Sequence, residues 1–363
     1  MASKTSTYRL QYLDWLRGIG AIIMLQGHVF DSFLRNDLRP GGAYIFSQFA
    51  GGMPPAIFLF LTGVTLSFLM DSTERKGMPP RQRVSHAFRR CGYLFFLAFA
   101  FRLQMFITGF PAPWTDLFRV DILNCMGFAM AVMSVMALLR TVDRARWCAI
   151  AGLAIAFASP LVSQMDTSFL PGLLRDYLVP DHRYFSFFPW AAYLAFGMSA
   201  GSVIRAVPQE TIERVMQWVA ILGGVLILSC EYFSNLPFSL YANSDYWLNS
   251  PAQVLTKLGV TLLILAFAFL WTRYASGPGW SWVRQFGTTS LLVYWVHIEL
   301  VYGRPLWFFK NALTVPQTVA AAVAVILMML ALSAIRTNWA RISATLTSMG
   351  WWYGTKPERV PGD

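Results

Sequence analysis

Charged residues are scarce in this chain. Of its 363 residues only 13% are Asp, Glu, Lys or Arg, whereas 56% are hydrophobic and 29 are phenylalanines. A water-soluble domain of this length needs far more charged and polar surface. The composition therefore excludes a soluble globular protein and predicts an integral membrane protein that contacts the lipid bilayer.

Cysteine and histidine are also rare, with four residues of each type. The cysteines are Cys91, Cys125, Cys148 and Cys230, and all lie in or beside apolar runs. They lack the spacing of zinc ligands or of a disulfide-rich fold. We therefore predict no metal site and no disulfide framework. The sequence also has no N-x-S/T glycosylation sequon, which favours a bacterial inner membrane.

Apolar runs long enough to cross a bilayer, at roughly 20 residues each, follow one another along the whole chain. Ten of them fall near 16–35, 53–70, 92–110, 119–139, 145–163, 186–206, 214–234, 252–272, 287–307 and 315–335. The predicted fold class is all-α: a polytopic membrane bundle of about ten transmembrane helices that forms one domain over 1–363. Residues 1–15 and 337–363 are predicted to be cytoplasmic segments.

The basic residues are divided unevenly between the two sides of such a bundle. Of 29 Lys and Arg residues, 20 fall on the side that carries both termini and 7 on the other. The positive-inside rule therefore places both termini in the cytoplasm. The net charge of +11 then needs no nucleic-acid partner. A cytoplasmic cluster that includes Arg83, Arg89 and Arg90 either sets this topology and contacts anionic lipid or binds a phosphorylated ligand.

The first predicted helix carries ionisable residues that are costly inside a bilayer. At about 100° per residue, Asp14, Arg17, His28 and Asp31 share one face of this helix. His28 lies about 16 Å of helix rise beyond Arg17, past the middle of the membrane. Ionisable groups at such depth usually face the bundle interior and mark a pathway or a reaction site. The alternative is a neutral histidine that only hydrogen-bonds to another helix.

A second polar helix favours the reaction site. In the ninth predicted helix, Ser290, Tyr294 and His297 fall on one face, and His297 reaches a depth similar to that of His28. Two histidines at similar depth can line one cavity. Histidine is the residue most often used for proton transfer near neutral pH.

Three further polar residues need an explanation. Arg102 lies inside the third apolar run and cannot shed its charge, so it needs an acid or a ligand. His86 is expected in a solvated cytoplasmic loop. His182 is expected in a solvated loop on the far side, where it could also help to bind an acceptor.

Four segments, in order along the chain, carry a recognisable pattern. They are RLQYLDWLRGIGAIIMLQGH, GMPPAIFLFLTGVTLSFL, YFSFFPWAAYLAFGMSAG and FGTTSLLVYWVHIEL. Together they resemble the transmembrane acyltransferase superfamily, in particular the heparan-alpha-glucosaminide N-acetyltransferases and their bacterial relatives. The first segment also resembles acyltransferase-3 enzymes, since Arg17 is followed after ten intervening residues by His28. Gly27 departs from many bacterial relatives, which have an acid at that position.

The resemblance implies a membrane-embedded acyltransferase. It implies transfer of an acyl group, by default acetyl, from cytoplasmic acyl-CoA to a hydroxyl or amine acceptor, such as a carbohydrate, on the far side of the membrane. Acyl-CoA would be a co-substrate, and no metal is implied. The residues predicted to bind this donor are Asp14, Arg17, Arg83, Arg89, Arg90 and Arg102.

The predicted catalytic residues are His28, Asp31, Tyr294 and His297. His28, oriented by Asp31 one turn away, would either deprotonate the acceptor or become acylated itself. His297 or Tyr294 would polarise the thioester carbonyl or hold the acceptor.

The alternative function is a proton-coupled small-molecule transporter or flippase that uses the same polar helices as a permeation path. Internal repeats are common in transporters, and no repeat of the two histidine-bearing helices is visible. The acceptor, the acyl chain length and the existence of a homodimer stay open.

Overall fold

The computed structural model describes residues 10–238, 240–277 and 279–348. Those residues form thirteen α-helices and no β-strand. The helices are α1 (Gln11–Phe33), α2 (Gly42–Gly51), α3 (Pro54–Arg75), α4 (Pro80–Thr108), α5 (Ile122–Met133), α6 (Thr141–Gln164), α7 (Gly172–Leu178), α8 (Phe187–Ala206), α9 (Ile212–Ser234), α10 (Pro251–Leu270), α11 (Trp282–Thr288), α12 (Ser290–Tyr302) and α13 (Val315–Ser348).

Within the described part of the chain, seven helical segments are long and apolar enough to cross a membrane. They are Gly42–Arg75, Pro80–Thr108, Thr141–Gln164, Phe187–Ala206, Gln209–Ser234, Pro251–Ala275 and Val315–Ala340. The other three predicted runs coincide with α1, with α5 and the short turn after it, and with α12. The all-helical membrane fold is confirmed, whereas the count of ten spans and the side of the termini stay predictions. Residues 1–9 and 349–363 of the predicted cytoplasmic segments lie outside the described residues.

Local sequence explains where several helices begin. Pro54, Pro80 and Pro251 each stand in the first turn of a helix, where a missing backbone N–H costs nothing. The side chain of Asp121 accepts hydrogen bonds from the first free backbone N–H groups of α5. These signals set the start of a helix independently of its hydropathy.

The start of α4 differs from the prediction. The apolar run begins near residue 92, but the helix begins at Pro80. The basic cluster with Arg83, Arg89 and Arg90 therefore lies on the first turns of α4, as does His86, and not in a loop. Hydropathy marks only the part of a helix that is apolar, so it misses a polar extension that the backbone still forms.

The long helices run between two ends of the bundle. We call the end where α1 begins the near end and the end where α1 finishes the far end. At the near end the Thr141 hydroxyl donates to the Glu74 carboxylate at 3.0 Å. At the far end the Ser32 hydroxyl donates to the Val301 carbonyl at 2.8 Å. These contacts fix α3 to α6 at one end and α1 to α12 at the other.

Two hydrophobic cores fill the bundle. The larger lies mainly among α1, α3, α5, α8 and α10, and the smaller joins α1 to α11, α12 and α13. Because α1 belongs to both cores, its opposite faces are both covered by protein. Polar side chains on α1 are therefore held inside the bundle.

Glycines allow α3 and α8 to pack with their backbones in contact. A Cβ placed on Gly63 would lie 2.0 Å from the Leu194 carbonyl oxygen, and one on Gly197 would lie 1.9 Å from the Phe60 carbonyl oxygen. Both distances are far shorter than any real carbon–oxygen contact. The two positions thus serve close helix packing, as small residues commonly do in membrane proteins.

Replacing Gly197 tests this packing. We expect Gly197→Ala to destabilise the protein by more than about 3 kcal/mol, because the clash is with backbone that cannot rotate away. Gly224→Ala on α9 is the matched control, since apart from the adjacent backbone of α9 no atom of the described residues lies within 4 Å of the new methyl group. Thermal unfolding of the detergent-purified proteins measures the effect. Equal melting temperatures for the two variants would contradict the packing described.

Candidate functional site

A pair of histidines joins α1 to α12. His28 Nδ1 lies 2.9 Å from His297 Nε2, and the two rings are nearly parallel, at 11°. His297 is fully buried, whereas His28 is half-buried. The structure thus brings together the two histidines that the sequence places at similar depth.

The hydrogen bonds of His297 determine which nitrogen carries each proton. His297 Nδ1 lies 2.7 Å from the Val293 carbonyl oxygen one turn earlier. A carbonyl can only accept, so His297 Nδ1 must carry the proton and donate. In a neutral imidazole the other nitrogen, Nε2, is then an acceptor.

The same reasoning extends to His28. Because His297 Nε2 accepts, His28 Nδ1 must be the donor of the 2.9 Å hydrogen bond. Neutral His28 therefore keeps an unprotonated Nε2 with a free lone pair. The Val293 carbonyl, through His297, selects the tautomer in which His28 Nε2 is a base or a nucleophile.

Helix α2 lies against α1 beside His28. The Gln48 amide donates to the Gly27 carbonyl at 3.0 Å, and the Gln26 amide donates to the Ser47 carbonyl at 3.2 Å. A Cβ on Gly27 would lie 3.0 Å from the Gly51 Cα. Gly27 thus allows the close approach of α2.

Asp31 is connected to His28 through Tyr302. Its carboxylate accepts hydrogen bonds from Tyr302 at 2.8 Å and from Tyr44 at 3.1 Å. The Tyr302 ring meets the His28 ring edge-on, with 5.4 Å between centroids. Among the described residues no hydrogen bond joins Asp31 directly to His28, so Asp31 contributes its negative charge and holds Tyr302 in place.

Tyr294 lies on the other side of His297. Its ring meets the His297 ring edge-on, with 5.9 Å between centroids, and contacts Phe101 at 5.4 Å. The next residue on α4, Arg102, is paired with Asp121 at 3.1 Å. Asp121 also caps α5, so the acid that Arg102 requires is supplied by the protein.

The predicted donor-binding residues do not form one group. Arg17 pairs with Asp14 at 3.3 Å near the start of α1. Arg83 is only 7% exposed and lies 3.5 Å from the Glu74 carboxylate. Arg102 lies about 28 Å of helix rise beyond Arg83 on α4. The structure therefore does not bring Arg102 together with the near-end arginines.

Arg89 and Arg90 differ from these paired arginines because both are exposed at the near end. Arg144 stands just before the apolar run near 145–163, so hydropathy gives it no role beyond its charge. The structure places it on α6, fully buried, with its guanidinium 3.3 Å from Glu74. A helix that starts at Thr141 has Arg144 as its fourth residue. Recognising that helix start is the signal that could have placed Arg144 on a helix and not in a loop.

The comparison with protein families gives a clear result. A family model described as heparan-alpha-glucosaminide N-acetyltransferase, catalytic, matches residues 9–233, well over half of the chain. The chain belongs to this family. No significant match to an individual curated protein was found.

Membership of the heparan-alpha-glucosaminide N-acetyltransferase family indicates a function of the membrane acetyltransferase type. The matched residues include His28, Asp31 and Tyr44 but end before α10. His297 and Tyr302 lie beyond them. The family match therefore covers one half of the histidine pair, and the three-dimensional structure supplies the other half.

Proposed function

We propose that the protein transfers an acyl group, most simply acetyl, from acyl-CoA at the near end to a sugar-like hydroxyl or amine acceptor that enters from the far end. The near end would face the cytoplasm. The observation that carries the proposal is the hydrogen-bonded chain from Val293 through His297 to His28. In an acetyltransferase family, a histidine with one fixed proton and one free lone pair is a suitable general base.

The depth of His28 supports entry of the two substrates from opposite ends. His28 lies five residues before the end of α1, or about 7.5 Å from the far end. It lies about 25 Å from the first residue of α1 at the near end. An acceptor therefore has a short path to His28, whereas the donor needs a long flexible arm, which acyl-CoA has.

Proton transfer then follows from the tautomer. The acceptor O–H or N–H gives its proton to His28 Nε2 as its oxygen or nitrogen bonds to the thioester carbon. The carbon–sulfur bond breaks, and the CoA thiolate takes the proton from His28. Throughout, His28 Nδ1–H stays hydrogen-bonded to His297, and the nearby Asp31 carboxylate stabilises the transient imidazolium.

The same nitrogen can instead bond to the thioester carbon as the carbon–sulfur bond breaks and CoA leaves as a thiolate, so that His28 carries the acyl group. The acceptor then bonds to the acyl carbon as the carbon–Nε2 bond breaks, and the thiolate takes the acceptor's proton. Incubation with radiolabelled acetyl-CoA in the absence of acceptor distinguishes the two routes. Label that stays on the protein and is lost in His28→Ala indicates an acyl-histidine. Absence of label, together with transfer when acceptor is added, indicates direct transfer.

Donor binding tests the role of the exposed arginines. We expect Arg89→Ala with Arg90→Ala to weaken acetyl-CoA binding by about tenfold or more, since charge-assisted contacts to phosphate are lost. Calorimetry on the detergent-purified protein measures the affinity, with the dephospho form of acetyl-CoA as a second ligand. The wild type should prefer the intact donor, and the double variant should lose that preference.

The matched control removes two exposed arginines from the far end, by Arg119→Ala with Arg175→Ala. It lowers the net charge equally, so a general effect of charge would weaken binding in both proteins. Unchanged affinity in the Arg89/Arg90 variant would remove these residues from the donor site. Absence of any acyl-CoA binding to the wild type would contradict the proposed function.

A further inference from the structure

Basic residues are concentrated at the far end on the two connections that cover the end of α1. These are residues 34–41, between α1 and α2, and residues 303–314, between α12 and α13. The Asn311 backbone N–H donates to the Ser32 carbonyl at 3.0 Å, which joins the second connection to α1. We call the two connections together the far-end rim. Its charged residues are one acid, Asp37, and four bases, Arg35, Arg39, Arg304 and Lys310.

The positive charge of the far-end rim is only partly neutralised. The Arg35 guanidinium pairs with the Asp37 carboxylate at 2.7 Å. Among the described residues, neither Arg39 nor Lys310 forms an ion pair with a carboxylate. Most basic residues of the chain lie at the near end, so the positive-inside rule does not account for positive charge at the rim. The rim is therefore suited to an anion.

Arg39 is held in place and keeps a donor for such a ligand. Its Nη2 donates to the Asp31 carbonyl at 2.5 Å and to the Asn311 side-chain oxygen at 3.0 Å. Its guanidinium carbon lies 5.3 Å from the centre of the Tyr44 ring. Among the described residues, neither Nε nor Nη1 of Arg39 donates a hydrogen bond, and Nε is buried. Nη1 therefore stays available to an anion while Nη2 fixes the side chain.

Lys310 brings a second cation towards His28. Its Nζ donates to the Tyr302 carbonyl at 2.5 Å, and the Tyr302 ring is the one that meets the His28 ring with 5.4 Å between centroids. The hydroxyls of Tyr302 and Tyr44 both donate to the Asp31 carboxylate. Direct contacts thus connect each cation to the histidine pair, and an anion bound at the rim lies beside the far-end approach to His28.

Helix α2 presents an apolar surface next to the rim. Tyr44 on α2 contacts Asp31 in the last turn of α1, and Gln48 contacts Gly27 one turn deeper. Helix α2 therefore runs beside α1 from the rim to the level of His28. Contact with bilayer lipid accounts for its apolar outward face, but not for the unpaired cations at its start. The exposed residues of this face are Ile45 (59%), Phe46 (74%) and Phe49 (58%).

We propose that the acceptor is a lipid phosphate. Its phosphate group binds Arg39 Nη1 and Lys310 Nζ, since guanidinium and ammonium groups form strong charge-assisted hydrogen bonds with phosphate. Its hydrocarbon tail lies on the outward face of α2, and its hydroxyl or amine is thereby held beside His28. The acceptor atom bonds to the acyl carbon, its proton passes through His28 to the CoA thiolate, and the products are acylated lipid and CoA.

The role of this lipid as acceptor rests on the proposed function, whereas its binding does not. Two kinds of lipid share the required chemistry. In a lysophospholipid the free hydroxyl lies between the phosphate and the tail. In a sugar joined to a prenyl chain through phosphate, the hydroxyls lie beyond the phosphate. The probes are therefore lysophosphatidate and a prenyl-phosphate-linked glucose.

Native mass spectrometry of the full chain, purified in a neutral sugar detergent, measures the binding. Two partial probes accompany the lipid phosphates: glycerol 3-phosphate has no tail, and monoacylglycerol has no phosphate. We expect saturable binding of at least one lipid phosphate, and binding of both partial probes that is weaker by about tenfold or more. Label that passes from radiolabelled acetyl-CoA into one of the lipid phosphates then identifies which kind of lipid is the acceptor.

Variants of the rim identify the phosphate site. Arg39→Ala and Lys310→Ala should each weaken binding by about tenfold, since a charge-assisted hydrogen bond is lost. Arg39→Lys keeps the charge and should bind more tightly than Arg39→Ala. Arg35→Ala is the matched control: it lowers the net charge equally, but Arg35 is already paired with Asp37, so this variant should bind nearly as tightly as the wild type.

A second pair of variants tests the position of the tail. Phe46→Ala on α2 should weaken binding of the lipid phosphate, because the tail loses apolar contact area. Phe96→Ala on α4 removes a phenylalanine of similar exposure, 68% against 74%, and should leave the affinity unchanged.

His28→Ala should bind the lipid phosphate as the wild type does, so loss of transfer in that variant leaves the binding result intact. Absence of lipid-phosphate binding, equally tight binding of either partial probe, or equal losses in the control variants would overturn the proposal. Acetyl transfer to soluble sugars but to neither lipid would also overturn it. Lipid binding without transfer to any acceptor would instead contradict the proposed function and leave the phosphate site in place.

Discussion

Replacing His28 with alanine is expected to lower acyl transfer by at least about 100-fold, because general acid–base groups typically contribute 10²–10⁴-fold to the rate. The variant loses the only lone pair that the Val293–His297–His28 chain leaves free. Transfer of radiolabelled acetyl from acetyl-CoA to a panel of amino sugars and neutral sugars is the measurement. His86→Ala is the matched control: His86 is exposed near the start of α4, far from His28, so this variant should retain the wild-type rate at saturating acetyl-CoA.

A second substitution distinguishes loss of the base from loss of structure. In His28→Ala the buried His297 Nε2 has no donor, and an unmet hydrogen bond of that kind costs about 1–3 kcal/mol. In His28→Gln the side-chain amide can donate to His297 but has no basic nitrogen. We therefore expect His28→Gln to melt closer to the wild type than His28→Ala and to be equally inactive. A glutamine variant with substantial activity would exclude His28 as base and as acyl carrier.

The sequence predicted the helices and the depth of the histidines because both depend on short-range patterns. Apolar runs near 20 residues give the spans, and the rise of 1.5 Å per residue gives depth. Depth alone, however, leaves open which faces meet. The contact between His28 and His297 depends on the rotation of α1 and α12, which the small core shared with α13 sets.

The partners of Asp31 could not be predicted in the same way. Tyr44 lies on the short helix α2, which follows a turn after α1, and Tyr302 lies 271 residues further along the chain. Both approach Asp31 only because α2 packs on Gly27 and α12 runs beside α1. A single sequence shows which residues of one helix are neighbours but not which distant helices pack together. It therefore predicted that Asp31 orients His28 directly, since the two residues are one turn apart on the same helix.

The ion pair of Arg102 is another contact between helices that the sequence alone does not specify. The sequence required an acid or a ligand for this buried cation, and Asp121 on the neighbouring segment supplies the acid. The sequence places Asp121 at the start of the fourth apolar run, where an acid can cap a helix with one carboxylate oxygen. It does not predict that the other oxygen pairs with Arg102 on α4. With Arg102 neutralised, the exposed Arg89 and Arg90 are the better candidates for binding phosphate.

His297→Phe should reduce turnover by roughly 10²–10⁴-fold without touching the reacting nitrogen. Phenylalanine fills the space of the imidazole but cannot accept the proton of His28 Nδ1, so His28 is free to adopt the tautomer in which Nε2 carries the proton and is no longer basic. Loss of the correct tautomer has an effect of this size in the serine-protease triad. We expect the loss in kcat, with the KM for acetyl-CoA little changed, because the donor does not depend on this hydrogen bond.

The kcat of His297→Gln distinguishes selection of the tautomer by His297 from a role of His297 in packing alone. The glutamine carbonyl can accept from His28 Nδ1–H and restore the productive tautomer, so this variant should recover a measurable part of the activity lost in His297→Phe. Glu299→Gln on the same helix is the control: it keeps an oxygen that can accept from Thr108 and should leave kcat unchanged. If Phe and Gln at position 297 reduce kcat equally while both proteins stay folded, His297 does not select the tautomer, and His28 must be oriented by Asp31 and Tyr302 instead.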